Sequence, residues 1–213
     1  MSSLLVKKIN MEVDTFTYFQ MQNCMFDLPW YNIAHVNWSE EYPYKPLVNF
    51  QIAHDNKTMY LHFVVEEEFI KAQYVRPNES VWEDSCVEFF ISFDNKHTYY
   101  NLEFNPLGTG LIGYGSSVKS ERKRLSAEQI ETVRTATSVV SASGTKTWSI
   151  ILAVPVEVFH TADITSFANI SGHANLYKCG DNLPRAHFIS WNRIDHPTPN
   201  FHLPNFFGEI VFE

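Results

Sequence analysis

The sequence predicts an all-β protein, an antiparallel two-sheet β-sandwich with jelly-roll-like connections, on three observations. Aromatic residues make up 15% of the 213-residue chain, with 17 Phe, 10 Tyr and 5 Trp. Such rings, like β-branched side chains, fit a pleated surface better than a helix, where their rotamers are restricted. Apolar residues alternate with polar ones in short segments, and turn-forming residues separate these segments at hairpin spacings.

The elements follow in order. In residues 47–54, Val48, Phe50 and Ile52 alternate with polar neighbours, Asp55-Asn56-Lys57 supplies a turn, and Tyr60 to Val65 resumes the pattern, which predicts a hairpin. A second hairpin runs from Cys86 to Asp94, with Val87, Phe89, Ile91 and Phe93 on one face, and returns through Tyr100, Leu102 and Phe104. Val139-Val140 and Trp148 to Val154 flank Ser143-Gly144-Thr145-Lys146, which reads as a third hairpin with a loop of about four residues. Later strands are expected at Ala174 to Lys178, His187 to Asn192 and Glu209 to Phe212. Ser126 before helix formers, and Pro155 before Val156 to Phe159, mark two short helical turns. Eight or more strands result, enough for a sandwich.

Hydrophobic residues at 45% and charged residues at 19% exclude disorder, and no linker or repeat divides residues 1–213, so one domain is expected. A net charge of −8 would repel phosphate backbones and anionic lipid, which argues against nucleic-acid and membrane partners. No stretch approaches the ~18 apolar residues of a membrane span. The opening MSSLLVKKIN lacks the features of a secretory leader, so the sequence as it stands reads as cytoplasmic, or as secreted or periplasmic if a leader has been trimmed. Cys24, Cys86 and Cys179 are odd in number and far apart, and read as buried thiols rather than a disulfide framework or zinc pair.

The second hairpin carries the chemistry. A two-residue tip at Asn95-Lys96 pairs Ile91 with Tyr100, Phe89 with Leu102 and Val87 with Phe104, placing every apolar partner on one face, whereas a one-residue slip would turn one set outward. The same count sets Glu88 opposite Glu103, Phe90 opposite Asn101 and Cys86 opposite Asn105. Like charges directly opposed repel, so a shared proton, a cation, a basic neighbour or a ligand donating hydroxyl hydrogens is expected to offset them; the plain alternative is a solvated face on which the two side chains splay apart. Carboxylates with the amides of Asn101 and Asn105 suit paired hydrogen bonds to sugar hydroxyls. Trp82, in the loop entering the strand, offers an apolar face to a sugar ring, or else plugs the end of the sandwich.

These residues resemble carbohydrate-binding module family 9. The resemblance runs through Trp82-Glu83-Asp84-Ser85-Cys86-Val87-Glu88-Phe89-Phe90-Ile91, Tyr99 to Asn105 with Gly108, Ile189-Ser190-Trp191, and Phe201-His202-Leu203-Pro204-Asn205-Phe206-Phe207-Gly208. It implies a β-sandwich in which two aromatic rings, at Trp82 and Phe201, clamp a terminal sugar, while Glu88 and Asn105 read its hydroxyls. Two departures stand out: Phe201 replaces a tryptophan, and Glu103 replaces an arginine, turning a complementary pair into a like-charge pair. Many family members hold calcium, but the Asp-Gly-rich start that accompanies it is not evident, so no cofactor or metal site is assigned.

The expected function is therefore non-catalytic carbohydrate binding by Trp82, Glu88, Asn101, Glu103, Asn105 and Phe201, in support of polysaccharide or oligosaccharide breakdown. Three alternatives stand beside it. Glu88 and Glu103 could act as the acid and base of a glycoside hydrolase, although a flat site on one hairpin lacks the groove that distorts a substrate. His54 and His62 could ligate haem, as in related sandwiches, without any attachment motif. The sheet face, with the stiff His196-Pro197-Thr198-Pro199-Asn200 loop, could instead dock another chain; the oligomeric state is not legible.

Overall fold

The computed structural model describes residues 3–11 and 15–213. Its strands are Ser3–Lys8 (β1), Tyr31–Asn32 (β2), His35–Val36 (β3), Leu47–His54 (β4), Thr58–Glu66 (β5), Cys86–Ser92 (β6), Tyr99–Phe104 (β7), Gly110–Gly115 (β8), Lys123–Arg124 (β9), Arg134–Ala142 (β10), Thr145–Pro155 (β11), Ser171–Cys179 (β12), Phe188–Ser190 (β13) and Gly208–Phe212 (β14). Two short α-helices, Tyr18–Cys24 (α1) and Ala127–Glu131 (α2), join them. No helix among the described residues is long and apolar enough to cross a membrane.

The fold is mostly β, but the expected purely antiparallel pair of sheets needs correction. Hydrogen bonding runs unbroken through β10, β11, β5, β4, β1, β14, β12, β6, β7, β8 and β9. At its middle β1 pairs in parallel with β14 through Ser3 to Val6 and in parallel with β4 through Lys7 and Lys8. One strand thus passes from one half of the β-structure to the other, and the sheet is mixed. A parallel pairing between residues about 200 apart has no short-range turn signal, which is why alternation along the chain did not reveal it.

The three hairpins form. The second has the expected register, Val87 with Phe104, Glu88 with Glu103, Phe89 with Leu102, Phe90 with Asn101 and Ile91 with Tyr100. Asn95 and Lys96 at its tip both take positive φ, 58° and 73°, as a two-residue turn matching the strand twist requires. The third hairpin has a tighter loop than the expected four residues: Ala142 pairs with Thr145, leaving Ser143-Gly144 alone at the tip. Ser126 caps α2 with a reciprocal Gln129 bond, while the turn after Pro155 extends over Val156–Ala162.

The inward faces of both halves form the main core, where Val87, Phe89 and Leu102 meet Phe50, Phe63 and Trp148. Lys178 falls on this same face, fully buried, and is held by Glu67 at 2.9 Å and His187 at 2.7 Å. Burial and the Lys178 charge push the His187 imidazole down to about 2, so it stays neutral beside the ammonium. The opposite face of β6 and β7 is not solvated, as one reading of the hairpin allowed. Every residue of both strands is buried, because loops bring Trp38, Val81, Phe201 and Phe207 over Phe90, Tyr99 and Tyr177 to make a second core. A third cluster packs Met21 and Met25, from α1 and its C-terminal edge, against Ala53, Tyr60 and Ile151. His54 and His62 belong to these buried layers; His62 bonds Gln51 at 3.0 Å and Tyr18 at 3.1 Å.

Candidate functional site

Along β6 and β7 the alternation that sends Val87 and Phe89 into the main core sends Glu88, Asn101 and Glu103 to the other face. There they form the floor of a cavity of about 840 Å³. Trp82 and Phe201 stand on its wall with Phe188, and Lys119 and Arg122, from the segment between β8 and β9, border it together with Lys123 and Arg124 of β9. The structure therefore gathers five of the six sequence-derived positions into one cavity, and the flat single-hairpin site is replaced by one that also draws on residues 117–124, 179–181, 188 and 199–202.

Asn105 is the exception, since its side chain is occupied in holding the loop behind the cavity. Its amide donates to Tyr74 O at 2.9 Å and to Asp84 Oδ2 at 3.0 Å, and its Oδ1 accepts from the backbone N–H groups of Leu107 and Thr109. Asp84 is itself fully buried and also accepts from Gln73 N and Tyr74 N. This lattice fixes the single turn Val81–Glu83 and hence the direction of Trp82. Asn105 holds that loop and does not line the cavity.

Neither ring is free on both faces. Trp82 is half-buried against the second core, and the Arg124 guanidinium lies 5.7 Å from its ring centre. Phe201 is only 9% exposed and stacks on Tyr177 at 4.2 Å with planes 11° apart. Each ring is thus held by a neighbour and offers at most its remaining surface to a ligand.

The acids are buried, 4% exposed for Glu88 and 5% for Glu103. Burial raises the Glu88 carboxyl well above its usual range, and the opposed Glu103 charge raises it further. Burial also lifts Glu103 to about 7, against the lowering effects of the Asn101 hydrogen bond and of Arg124 and Arg122. Burial thus favours the protonated form of both acids, which weakens the repulsion of a like-charge contact.

Arg122 compensates from a distance: it donates to Asn101 Oδ1, and Asn101 Nδ2 donates to Glu103 Oε1 at 2.8 Å. Gly113 opposite Asn101 leaves the room, since a Cβ there would stand 2.6 Å from Asn101 Oδ1. Arg122 is anchored by the carbonyls of Gly115 and Ser116 at 2.9 and 2.8 Å, and its guanidinium carbon lies 4.0 Å above Tyr99. Further along the floor, Cys179 Sγ donates to Glu88 Oε1 at 3.0 Å, and burial lifts Asp181, another lining residue, to about 6, helped by Glu83.

Sequence reasoning missed Arg122, Arg124, Cys179, Asp181 and His202. A signal existed for the first two: four of the chain's 16 Lys and Arg residues fall within 119–124, an unusual density in an acidic protein. No comparable signal marks the other three, which reach the cavity through long-range pairing.

Comparison with known proteins adds an independent line. A sequence profile described as carbohydrate-binding family 9 matches residues 20–212. A crystal structure of a proposed carbohydrate-binding protein from Bacteroides uniformis ATCC 8492 superposes with a TM-score of 0.90 at 35% identity, covering 99% of each chain. A carbohydrate-binding module family 9 protein from Caldicellulosiruptor kristjanssonii in complex with glucose matches at TM-score 0.59 and 13% identity, covering 100% of this chain and 96% of that one. The same organism's module with cellotriose gives 0.60 and 12%, covering 100% and 94%. No functionally curated protein matches.

Proposed function

The chain belongs to carbohydrate-binding family 9, and from that premise we propose that it is a non-catalytic sugar-binding protein whose ligand enters the cavity beside Trp82. The observation that carries this reading is the convergence of Trp82 and Phe201 with Glu88, Asn101 and Glu103 around one space of about 840 Å³, within the ~300–1,000 Å³ range of small-molecule sites. A saccharide lays a C–H face on the exposed part of Trp82, with Phe201 as the smaller opposing ring. Its hydroxyls exchange hydrogen bonds with the carboxyl groups and the Asn101 amide on the floor. The family members from Caldicellulosiruptor, which hold glucose and cellotriose, support a saccharide as the ligand class, and the proposal extends to a role beside polysaccharide or oligosaccharide breakdown.

The hydrolytic alternative, with Glu88 and Glu103 as acid and base, makes a separate prediction: turnover of an aryl glycoside that Glu88→Gln abolishes, whereas the proposed function gives binding without turnover.

Calorimetric titration with glucose, cello-oligosaccharides and a wider glycan panel tests the proposal. Trp82→Ala is expected to weaken binding of whichever saccharide is recognised by at least ~10-fold, the ~1.4 kcal/mol expected for a lost ring platform, with the fold retained by circular dichroism. Saccharide binding that persists unchanged in a folded Trp82→Ala protein, or no binding across the panel, overturns it.

A further inference from the structure

We propose that Cys86, Cys179 and Glu88 form a binding site for a soft divalent cation, best matched by Zn2+, at the floor of the cavity. The two thiols occupy directly opposed positions on β6 and β12, and Glu88 follows Cys86 by two residues, hence on the same face. One ligand atom from each lies within 4.8 Å of the other two. Bond lengths of ~2.3 Å to sulfur and ~2.0–2.2 Å to oxygen place ligands of a tetrahedral Zn2+ about 3.5–3.8 Å apart. Small side-chain rotations therefore close the set without moving the strands.

The arrangement also answers how an ion enters and what balances its charge. Cys179 and Glu88 line the cavity, so the ion has a path from solvent, and Cys86 stands behind them as the inner ligand. Three protein donors leave a fourth position open toward the cavity, the ligand count of zinc sites that exchange a water or substrate. On binding, the two thiols lose their protons to solvent and coordinate as thiolates, and Glu88 gives up the proton that burial otherwise retains. The three anionic ligands outweigh the +2 ion by one charge. Among the groups facing the same space, Arg122 and Arg124 offset that charge, while Glu103 and Asp181 oppose it.

An ion at bonding distance reverses the preference of a buried thiol for its neutral form. Two sulfur donors select against Ca2+, which takes six to eight oxygens. The site does not depend on sugar recognition, and metal uptake is read without any saccharide present.

The test is titration of the reduced, metal-free full chain with Co2+ and then Zn2+. The expected result is one equivalent of Co2+ with thiolate-to-cobalt charge transfer in the near ultraviolet, displaced by Zn2+. Cys86→Ser and Cys179→Ser should each weaken Zn2+ by at least ~100-fold, the upper end of what loss of a supporting group alone costs, whereas Cys24→Ser should not. Absence of uptake, uptake without charge transfer, a Cys86–Cys179 disulfide forming in place of the metal complex, or unchanged affinity in both serine variants overturns the proposal. The cobalt spectrum is read on the unaltered chain and remains decisive if a serine variant fails to fold.

Discussion

Glu103 shows how the burial of a single carboxyl makes stability depend on pH. Glu103 titrates near 7 in the folded chain and near its ordinary 4.5 when unfolded, so the folded form binds its proton more tightly. That preference contributes fully below about pH 4.5 and is lost as pH rises through 7. The buried histidines run the opposite way: His62, held near 4 by burial, disfavours the fold as pH falls below its ordinary 6.5. A difference between two proteins removes the histidine contribution and reads the Glu103 carboxyl together with its effect on Glu88. Glu103→Gln should gain stability relative to the parent by about 2–3 kcal/mol between pH 5 and pH 8, on the ~1.4 kcal/mol per pKa unit of linkage. Urea unfolding of both proteins at several pH values measures it, and a difference independent of pH refutes the raised titration of Glu103. The opposition of these two acids was legible in the sequence because apolar register and a two-residue tip fix the pairing. Their burial was not, since the residues that cover them come from positions 119–124, 181 and 199–202.

Elements were legible where one hairpin carried its own signals, and obscure where tertiary contacts decided. The short α1 has no side-chain cap bond and owes its place to Met21 packing beneath it, so nothing local announced it. In β12 the alternation Ala174, Leu176, Lys178 sets a lysine on the core face, which hydrophobic periodicity counts against a buried strand. Its charge partner, Glu67, lies more than 100 residues away, and His187 and the Cys179 carbonyl complete its contacts. At the tip of the second hairpin, by contrast, local chemistry leaves room for improvement. Lys96 holds φ 73°, a left-handed conformation that costs an L-residue ~1–2 kcal/mol relative to glycine, partly offset by the greater freedom that glycine loses on folding. Lys96→Gly creates the Asn-Gly pair favoured in such turns and should raise stability by up to about 1 kcal/mol. Chemical denaturation decides the matter, and a loss of stability would mean that contacts of the lysine side chain outweigh the backbone cost.

At the scale of the whole molecule the decisive element is β1, which sequence reading passed over because six residues with two buried positions give too brief an alternation. Leu4 is 1% exposed and Val6 fully buried, and both lie in the main core between the two halves. Backbone pairing with β14 on one side and β4 on the other makes β1 the hydrogen-bonded seam of the fold. A strand appended to an edge would unzip alone, leaving the rest intact. A seam instead couples its two neighbours, because removing it exposes unpaired backbone on both and opens the core beneath. Leu4→Ala should therefore cost about 2–5 kcal/mol, the range for deleting a buried leucine side chain, in a single cooperative transition. Hydrogen exchange locates the effect: the amides of β4 and β14 should lose protection together. Faster exchange confined to β1 and β14 would show that the core alone joins the halves, and that the cavity on β6 and β7 is insulated from the first residues of the chain.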